Sequence, residues 1–185
     1  MPPLESTQRL GIGTPCPEFA LVDTVSGKTV RSGDFADRPL LVAFICNHCP
    51  YVQAILDRLI RDARELQALG IGVVAISSND AAAYPQDSFD DMAALASARD
   101  FPFPYLYDGT QAVARAYGAV CTPDFFGFNA DLQLQYRGRL DASGRAAATA
   151  ETRRELFEAM RLVAETGRGP AEQLASIGCS LKWKD

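Results

Sequence analysis

The segment Cys46-Asn47-His48-Cys49-Pro50 stands where one hydrophobic periodicity gives way to another, and that junction constrains the fold more than any other feature. Before it, Pro39 to Ile45 is a short continuous apolar run, as expected of a strand buried on both faces. After it, from Tyr51, the apolar residues Val52, Ile55, Leu56, Leu59, Ile60, Ala63 and Leu66 recur at three- and four-residue steps. That spacing lines one face of a helix, and Gly70 supplies its stop. A second apolar run, Ile71 to Ser77, follows. Strand, helix and strand in this order predict a right-handed crossover between parallel strands.

Downstream, Ser88 with Asp91 three residues on predicts an N-cap for a helix through about Arg99. Tyr105 to Tyr107 reads as a brief strand, and Thr110 to Tyr117 as a short helix closed by Gly118. Asp124 to Phe128 and Leu132 to Arg137, separated by Asn129-Ala130-Asp131, predict an antiparallel hairpin. Glu151 to Thr166 has the spacing of a final helix, and Ala142 to Ala150 reads as a small-residue loop. The expected class is α/β, a central mixed sheet with helices on both faces. A length of 185 residues suits a single domain, with a core over about 11–166 and a C-terminal tail over 167–185.

Charge and patterning exclude several functions. The 18 basic residues are scattered and the net charge is -5, so nucleic acid is not an expected partner. No apolar run approaches a bilayer span, and Met1 to Leu10 has neither a basic leader nor a continuous apolar stretch, so the chain reads as cytoplasmic with no membrane partner. Five cysteines, Cys16, Cys46, Cys49, Cys121 and Cys179, are too few for a disulfide-stapled scaffold of this size. A C-x-x-C pair in such a chain points to redox or metal chemistry. A structural zinc site normally needs two further ligands, and the one histidine, His48, lies inside the motif, so neither metal nor organic cofactor is expected.

Cysteines three apart across a first helical turn have Cα atoms roughly 5 to 6 Å apart, within the range a disulfide accepts. Helix N-terminal N–H groups would favour a thiolate at Cys46, with His48 assisting as a cation or hydrogen-bond donor. Pro50, in the first turn, loses little by lacking an N–H. Cys16 and Cys179 read as packing or spare thiols, the latter on a tail that folds back over the domain. Phe101, Phe103, Tyr105, Tyr107, Phe125, Phe126 and Phe128 read mostly as core. Arg137 and Arg139 either raise the potential near a thiolate or are exposed strand-end charges.

The strand, C-x-x-C, helix order resembles thioredoxin. Gly13-Thr14-Pro15-Cys16-Pro17-Glu18-Phe19-Ala20-Leu21 is similar to the G-x-x-x-P-x-F-x-L opening of the branch containing alkyl hydroperoxide reductase C and thiol-specific antioxidant proteins. The resemblance covers about Gly11 to Leu140. It implies a thioredoxin-like fold, Cys46 as exposed attacking thiol, Cys49 as resolving thiol, and Thr122-Pro123 as a cis-proline pair facing them. Cys121 would then lie close by, as a further resolving thiol or a small buried residue. Three departures stand out: Leu40 replaces thioredoxin's buried aspartate six residues before the first cysteine, Ala43 replaces the threonine of the peroxidatic P-x-x-x-T-x-x-C, and Asn47-His48 resembles the histidine-containing pair of strongly oxidising disulfide exchangers more than thioredoxin's Gly-Pro. The expected activity is thiol-disulfide oxidoreduction on protein or small-molecule disulfides and thiols, with a dithiol protein as reductant. The alternatives are a thiol peroxidase with Cys46 as peroxidatic cysteine and a redox-sensing binding module without turnover.

Overall fold

In the computed structural model the chain is described over residues 2–7 and 10–185. Met1, Gln8 and Arg9, part of the N-terminal stretch read above for a leader, lie outside the described residues. The elements in chain order are β1 (Leu4–Glu5), β2 (Ala20–Asp23), β3 (Thr29–Arg31), β4 (Leu40–Phe44), α1 (Pro50–Ala68), β5 (Gly72–Ser77) and α2 (Phe89–Ala98). They continue with β6 (Tyr105–Tyr107), α3 (Ala112–Tyr117), β7 (Cys121–Thr122), β8 (Asp124–Phe128), β9 (Leu134–Gly138), α4 (Glu155–Thr166) and β10 (Ile177–Ser180).

Seven strands form one mixed sheet in the order β3-β2-β6-β5-β4-β8-β9, parallel only at β4/β5 and β5/β6. The β4-α1-β5 crossover is the unit expected from the two apolar runs, with Leu40 opposite Gly72 and Phe44 opposite Ile76. Alternate residues of a strand point to opposite faces. Accordingly Leu41, Ala43 and Ile45 join Val52, Leu56, Leu59, Met92, Leu156 and Met160 on the α1, α2 and α4 side. Leu40, Val42 and Phe44 join Val113, Tyr117, Phe126 and Phe128 on the α3 side. Helices on both faces are why these strands read as unbroken apolar runs. Five of the seven aromatics named above are buried, so most of that group is core. No helix of the described residues is long and apolar enough to cross a membrane.

The structure departs from the expected elements in three places. Helix α4 starts at Glu155, not Glu151, because Thr149 and Thr152 close a local turn and the Arg154 side chain leaves to pair with Asp62. The edge strand β3 and its neighbour β2 are short and only partly buried, so their pattern in the sequence is faint. Most consequential is a small second sheet, β1-β10-β7, in which the tail returns: β10 pairs antiparallel with β7, Cys179 opposite Thr122 and Ser180 opposite Cys121.

That pairing depends on Gly178. A Cβ there would lie 1.9 Å from the Thr122 carbonyl oxygen, and neither backbone has room to move. Gly178→Ala is expected to destabilise the protein by about 1–3 kcal/mol, the usual range for overpacking. A lower urea midpoint at unchanged slope would show it, and an unchanged midpoint would mean that β10 is not held as described.

Candidate active site

Strand β4 is buried along its whole length and delivers the chain to Cys46 at the sheet's carboxyl edge. Helix α1 begins later than the sequence predicted. Pro50 is its first residue and Cys49 its N-cap, whose carbonyl accepts from the N–H groups of Val52 (3.0 Å) and Gln53 (2.9 Å). Cys46, Asn47 and His48 therefore form a short bent approach rather than a first helical turn. The positive end of the helix faces Cys49 and not Cys46.

What holds that approach is Asp87, at the end of a one-turn 3-10 helix, Pro85–Asp87. Its carboxylate is fully buried and accepts from the backbone N–H of Asn47 (2.7 Å) and of His48 (3.3 Å), and from Asn79 Nδ2 (3.0 Å). A fourth partner is His48 Nδ1. Asn47 is itself fixed, with Nδ2 donating to the Gln86 carbonyl (2.8 Å) and Oδ1 accepting from the Tyr105 hydroxyl (2.9 Å). The His48 ring stacks on Tyr84 with centroids 5.4 Å apart. Nothing in the sequence distinguished Asp87 from an ordinary turn acid.

Facing the cysteines is the Thr122–Pro123 peptide, which is cis. Thr122 meets both sulfurs: its Oγ1 lies 3.5 Å from Cys46 Sγ, and its carbonyl accepts from Cys49 Sγ at 3.3 Å. Cys46, His48, Cys49, Thr122 and Pro123 are thus brought together. Cys121 is adjacent, but its sulfur contacts the Pro123 carbonyl at 3.9 Å, and burial followed by the charge of Asp124 pushes its thiol far up. The sulfur that does meet the pair is Cys179, read from sequence as a packing or spare thiol. It stands opposite Thr122 and packs against the cluster that holds both cysteines, and its ionisation and that of Cys49 influence one another.

Both members of the C-x-x-C pair are buried, Cys46 at 1% exposure and Cys49 at 0%, so the exposed attacking thiol implied at Cys46 is not found. All five cysteines are free thiols here. The pair ionises unequally. Cys49 is lowered to about 5, chiefly because the Cys46 thiol donates to it, against burial and helped by Cys179, Thr122 and the Val52 N–H. Cys46 is pushed up by that same hydrogen bond, then by burial and by the negative charge of Asp87. The two thiols thus titrate as a pair: loss of the first proton is favoured and loss of the second is opposed, and Cys49 is the sulfur at the helix N-cap.

Neither arginine supplies the positive potential. Arg137 is buried and contacts Asp124 Oδ2 (3.4 Å), Ser6 and the Gly118 carbonyl, and Arg139 pairs with Glu155. Ligand atoms of Cys46, His48 and Asp87 lie within 4.8 Å of one another. Using Asp87 as a metal ligand would compete with donors that have no other acceptor, two of them backbone N–H groups. The cluster therefore fits a hydrogen-bonded brace better than a cation site. A hollow of about 150 Å³, lined by Tyr51, Ile55, Pro123, Phe125, Leu140 and Ile177 among others, opens on the cis-proline side.

Comparison with known proteins agrees with this geometry. The AhpC/TSA family model matches residues 12–138. An uncharacterized conserved protein from Geobacillus kaustophilus is 44% identical with a TM-score of 0.93, over 100% of this chain and 97% of that one. A hypothetical protein from Sinorhizobium meliloti 1021 is 37% identical with a TM-score of 0.91, over 97% and 98% of the two chains. The thioredoxin domain of a thiol-disulfide oxidoreductase from Bacteroides vulgatus shares the fold at 16% identity, TM-score 0.59, over 69% of this chain and 88% of its own. A comparison with curated proteins gives no match. The matched span runs from the segment before β2 through the dithiol and the cis-proline to β9, and the chain belongs to the AhpC/TSA family, with a thioredoxin-like fold.

Proposed function

We propose that this protein is a thiol-disulfide oxidoreductase working through a Cys46–Cys49 dithiol/disulfide couple. The observation that supports this function best is the meeting of both sulfurs on Thr122, beside the cis-proline. In the reducing direction a thiolate of the pair attacks a substrate disulfide. The second thiol then displaces the substrate, leaving the Cys46–Cys49 disulfide and a reduced substrate with two electrons more. In the oxidising direction the same steps run backwards. A dithiol protein closes the cycle, and cytoplasmic residence would suit such a reductant.

Buried Asp87 performs two tasks. It fixes the backbone between the cysteines, and its charge opposes ionisation of Cys46, which keeps the second proton available for a leaving thiolate. His48 donates to that carboxylate and so withdraws charge from it. His48 thus acts on the thiols through Asp87.

A thiol peroxidase is the second reading, favoured by the AhpC/TSA match. Ala43 is buried in β4 and carries no hydroxyl to hold a peroxide. The Thr122 hydroxyl near Cys46 is the donor available for that role. Stopped-flow consumption of hydroperoxide, set beside reduction of an insulin-type disulfide, separates the two. Faster disulfide reduction is expected, and peroxide rates approaching the diffusional range would reverse the assignment.

For His48→Ala, Asp87 loses one donor and its charge is felt more strongly by the pair. The thiolate absorbance is expected to titrate at higher pH than in the wild type, and each unit of rise is about 1.4 kcal/mol. An unchanged titration would detach His48 from the thiols.

A pH dependence follows for the reduced protein. Cys49 titrates near 5 folded, against an ordinary value of 9.0. A lowered acid stabilises the fold above its unfolded pKa, and that contribution is lost as pH falls toward the folded pKa. The stability of reduced wild type relative to Cys49→Ser should therefore fall as pH drops from about 9 to about 5, by up to about 1.4 kcal/mol per unit. Urea titrations of both proteins under reductant measure it, and parallel pH curves would refute the low value.

A further inference from the structure

The proposed couple has an access problem. Cys46 and Cys49 are at most 1% exposed, and a partner protein's sulfur must approach in line with the bond it attacks. Of the five cysteines only Cys16 and Cys179 are partly exposed. Cys16 packs with the core on the α3 side of the sheet, its sulfur 3.2 Å from the Tyr117 hydroxyl, far from the dithiol. Cys179 packs against the cluster that contains Cys46 and Cys49.

Its position is fixed by backbone pairing. Cys179 stands opposite Thr122 in the β10/β7 ladder, and Thr122 carries the carbonyl that accepts from Cys49 Sγ. Facing residues in antiparallel strands lie about 4.5–5.5 Å apart at Cα, and Gly178 lets β10 come in at that spacing. Cross-strand partners present their side chains to the same face, so Cys179 is directed to the side on which the Thr122 hydroxyl meets Cys46 Sγ. The further segment holds the tail in place: the Lys182 N–H donates to Asn79 Oδ1 at 2.9 Å, and Asn79 in turn donates to Asp87. The Lys182 ammonium bonds both oxygens of Ser180, the residue after Cys179.

We propose that Cys179 is a third redox thiol, exchanging with Cys49 so that the buried Cys46–Cys49 disulfide is carried to the surface as a Cys49–Cys179 disulfide, where a dithiol protein reacts with it. This rests on the Cys46–Cys49 couple proposed above. In the first step the Cys179 thiolate attacks Cys49 Sγ. The Cys46–Cys49 bond breaks, Cys46 leaves as thiolate and takes up the proton Cys179 released, and no electrons enter or leave. A thiolate of the partner then attacks Cys179 Sγ, and Cys49 leaves. The partner's second thiolate attacks its own mixed-disulfide sulfur and frees Cys179. Two electrons pass from the partner dithiol to this chain, and its two thiol protons are released. The reverse order serves reduction of a partner disulfide.

The same contact gates the relay. In the reduced protein Cys179 is pushed up to about 11, first by burial and then by the hydrogen bond and charge of Cys49. Once Cys49 is in a disulfide those last two causes vanish, and the Lys182 charge, which favours ionisation, remains. Cys179 thus becomes easier to ionise when there is a disulfide to attack.

The test is mild diamide oxidation of the full-length protein, followed by alkylation and non-reducing peptide mapping. In Cys46→Ser a Cys49–Cys179 bond is expected, and in Cys179→Ser a Cys46–Cys49 bond. The relay fails if Cys46→Ser leaves both remaining thiols alkylated while wild type joins Cys46 to Cys49. Absence of the Cys46–Cys49 bond in both wild type and Cys179→Ser instead refutes the oxidoreductase couple itself. A kinetic arm separates the relay from mere proximity. Oxidised Cys179→Ser should transfer its disulfide to a reduced, unfolded model polypeptide about tenfold or more slowly than wild type, a barrier change of about 1.4 kcal/mol. Equal rates would overturn the proposal.

Discussion

A carboxylate with no exposure to water must be met by donors, and at Asp87 four converge on one side chain, three of them from the dipeptide between the cysteines. Much else follows from that arrangement. With Asn47 and His48 bound in this way, the chain bends between β4 and Pro50 without entering the helix, and Cys49 is the N-cap. The helix dipole then acts on the second cysteine. Leu40, where thioredoxin has its buried acid, packs on the opposite, α3 face of the sheet, and the acid beside the motif is Asp87, from the turn that follows β5.

Thr122 is the complementary element. One residue presents a hydroxyl to Cys46 and a carbonyl to Cys49 while its backbone is paired with the tail through β10. Dithiol, cis peptide and tail are therefore mechanically connected, and a shift in any one is felt at both sulfurs. The buried Asp124–Arg137 pair next to Pro123 anchors the start of β8 and reaches Ser6 beyond β1, so both ends of the described chain are tied to the same corner.

The crossover, both faces of its strands and the α3 segment were legible in the sequence because runs such as Leu-Leu-Val-Ala-Phe are too apolar for any surface. The helix start was misread by one turn. Pro50 carried the signal: proline is favoured at the first helical position, which makes the preceding Cys49 the cap. Asp87 was illegible for a different reason. Tyr-Pro-Gln-Asp-Ser reads as any polar turn, and an acid becomes informative only once its burial is known. Cys179 read only as a packing or spare thiol on a returning tail, since the pairing of β10 with β7 spans almost sixty residues and leaves no local periodicity. Its one trace was a glycine immediately before the cysteine, marking a close backbone approach.

The return of β10 to β7 also bears on how the molecule is made. Cys179 is synthesised about 130 residues after Cys49, which at ribosomal rates is a delay on the order of ten seconds. From the formation of β7 until then, its edge is unpaired and the nearby sulfurs lack the cover of β10. A nascent chain therefore presents its dithiol more openly than the finished protein does. Oxidants and chaperones met during translation act on a thiol pair that the last strand later closes off.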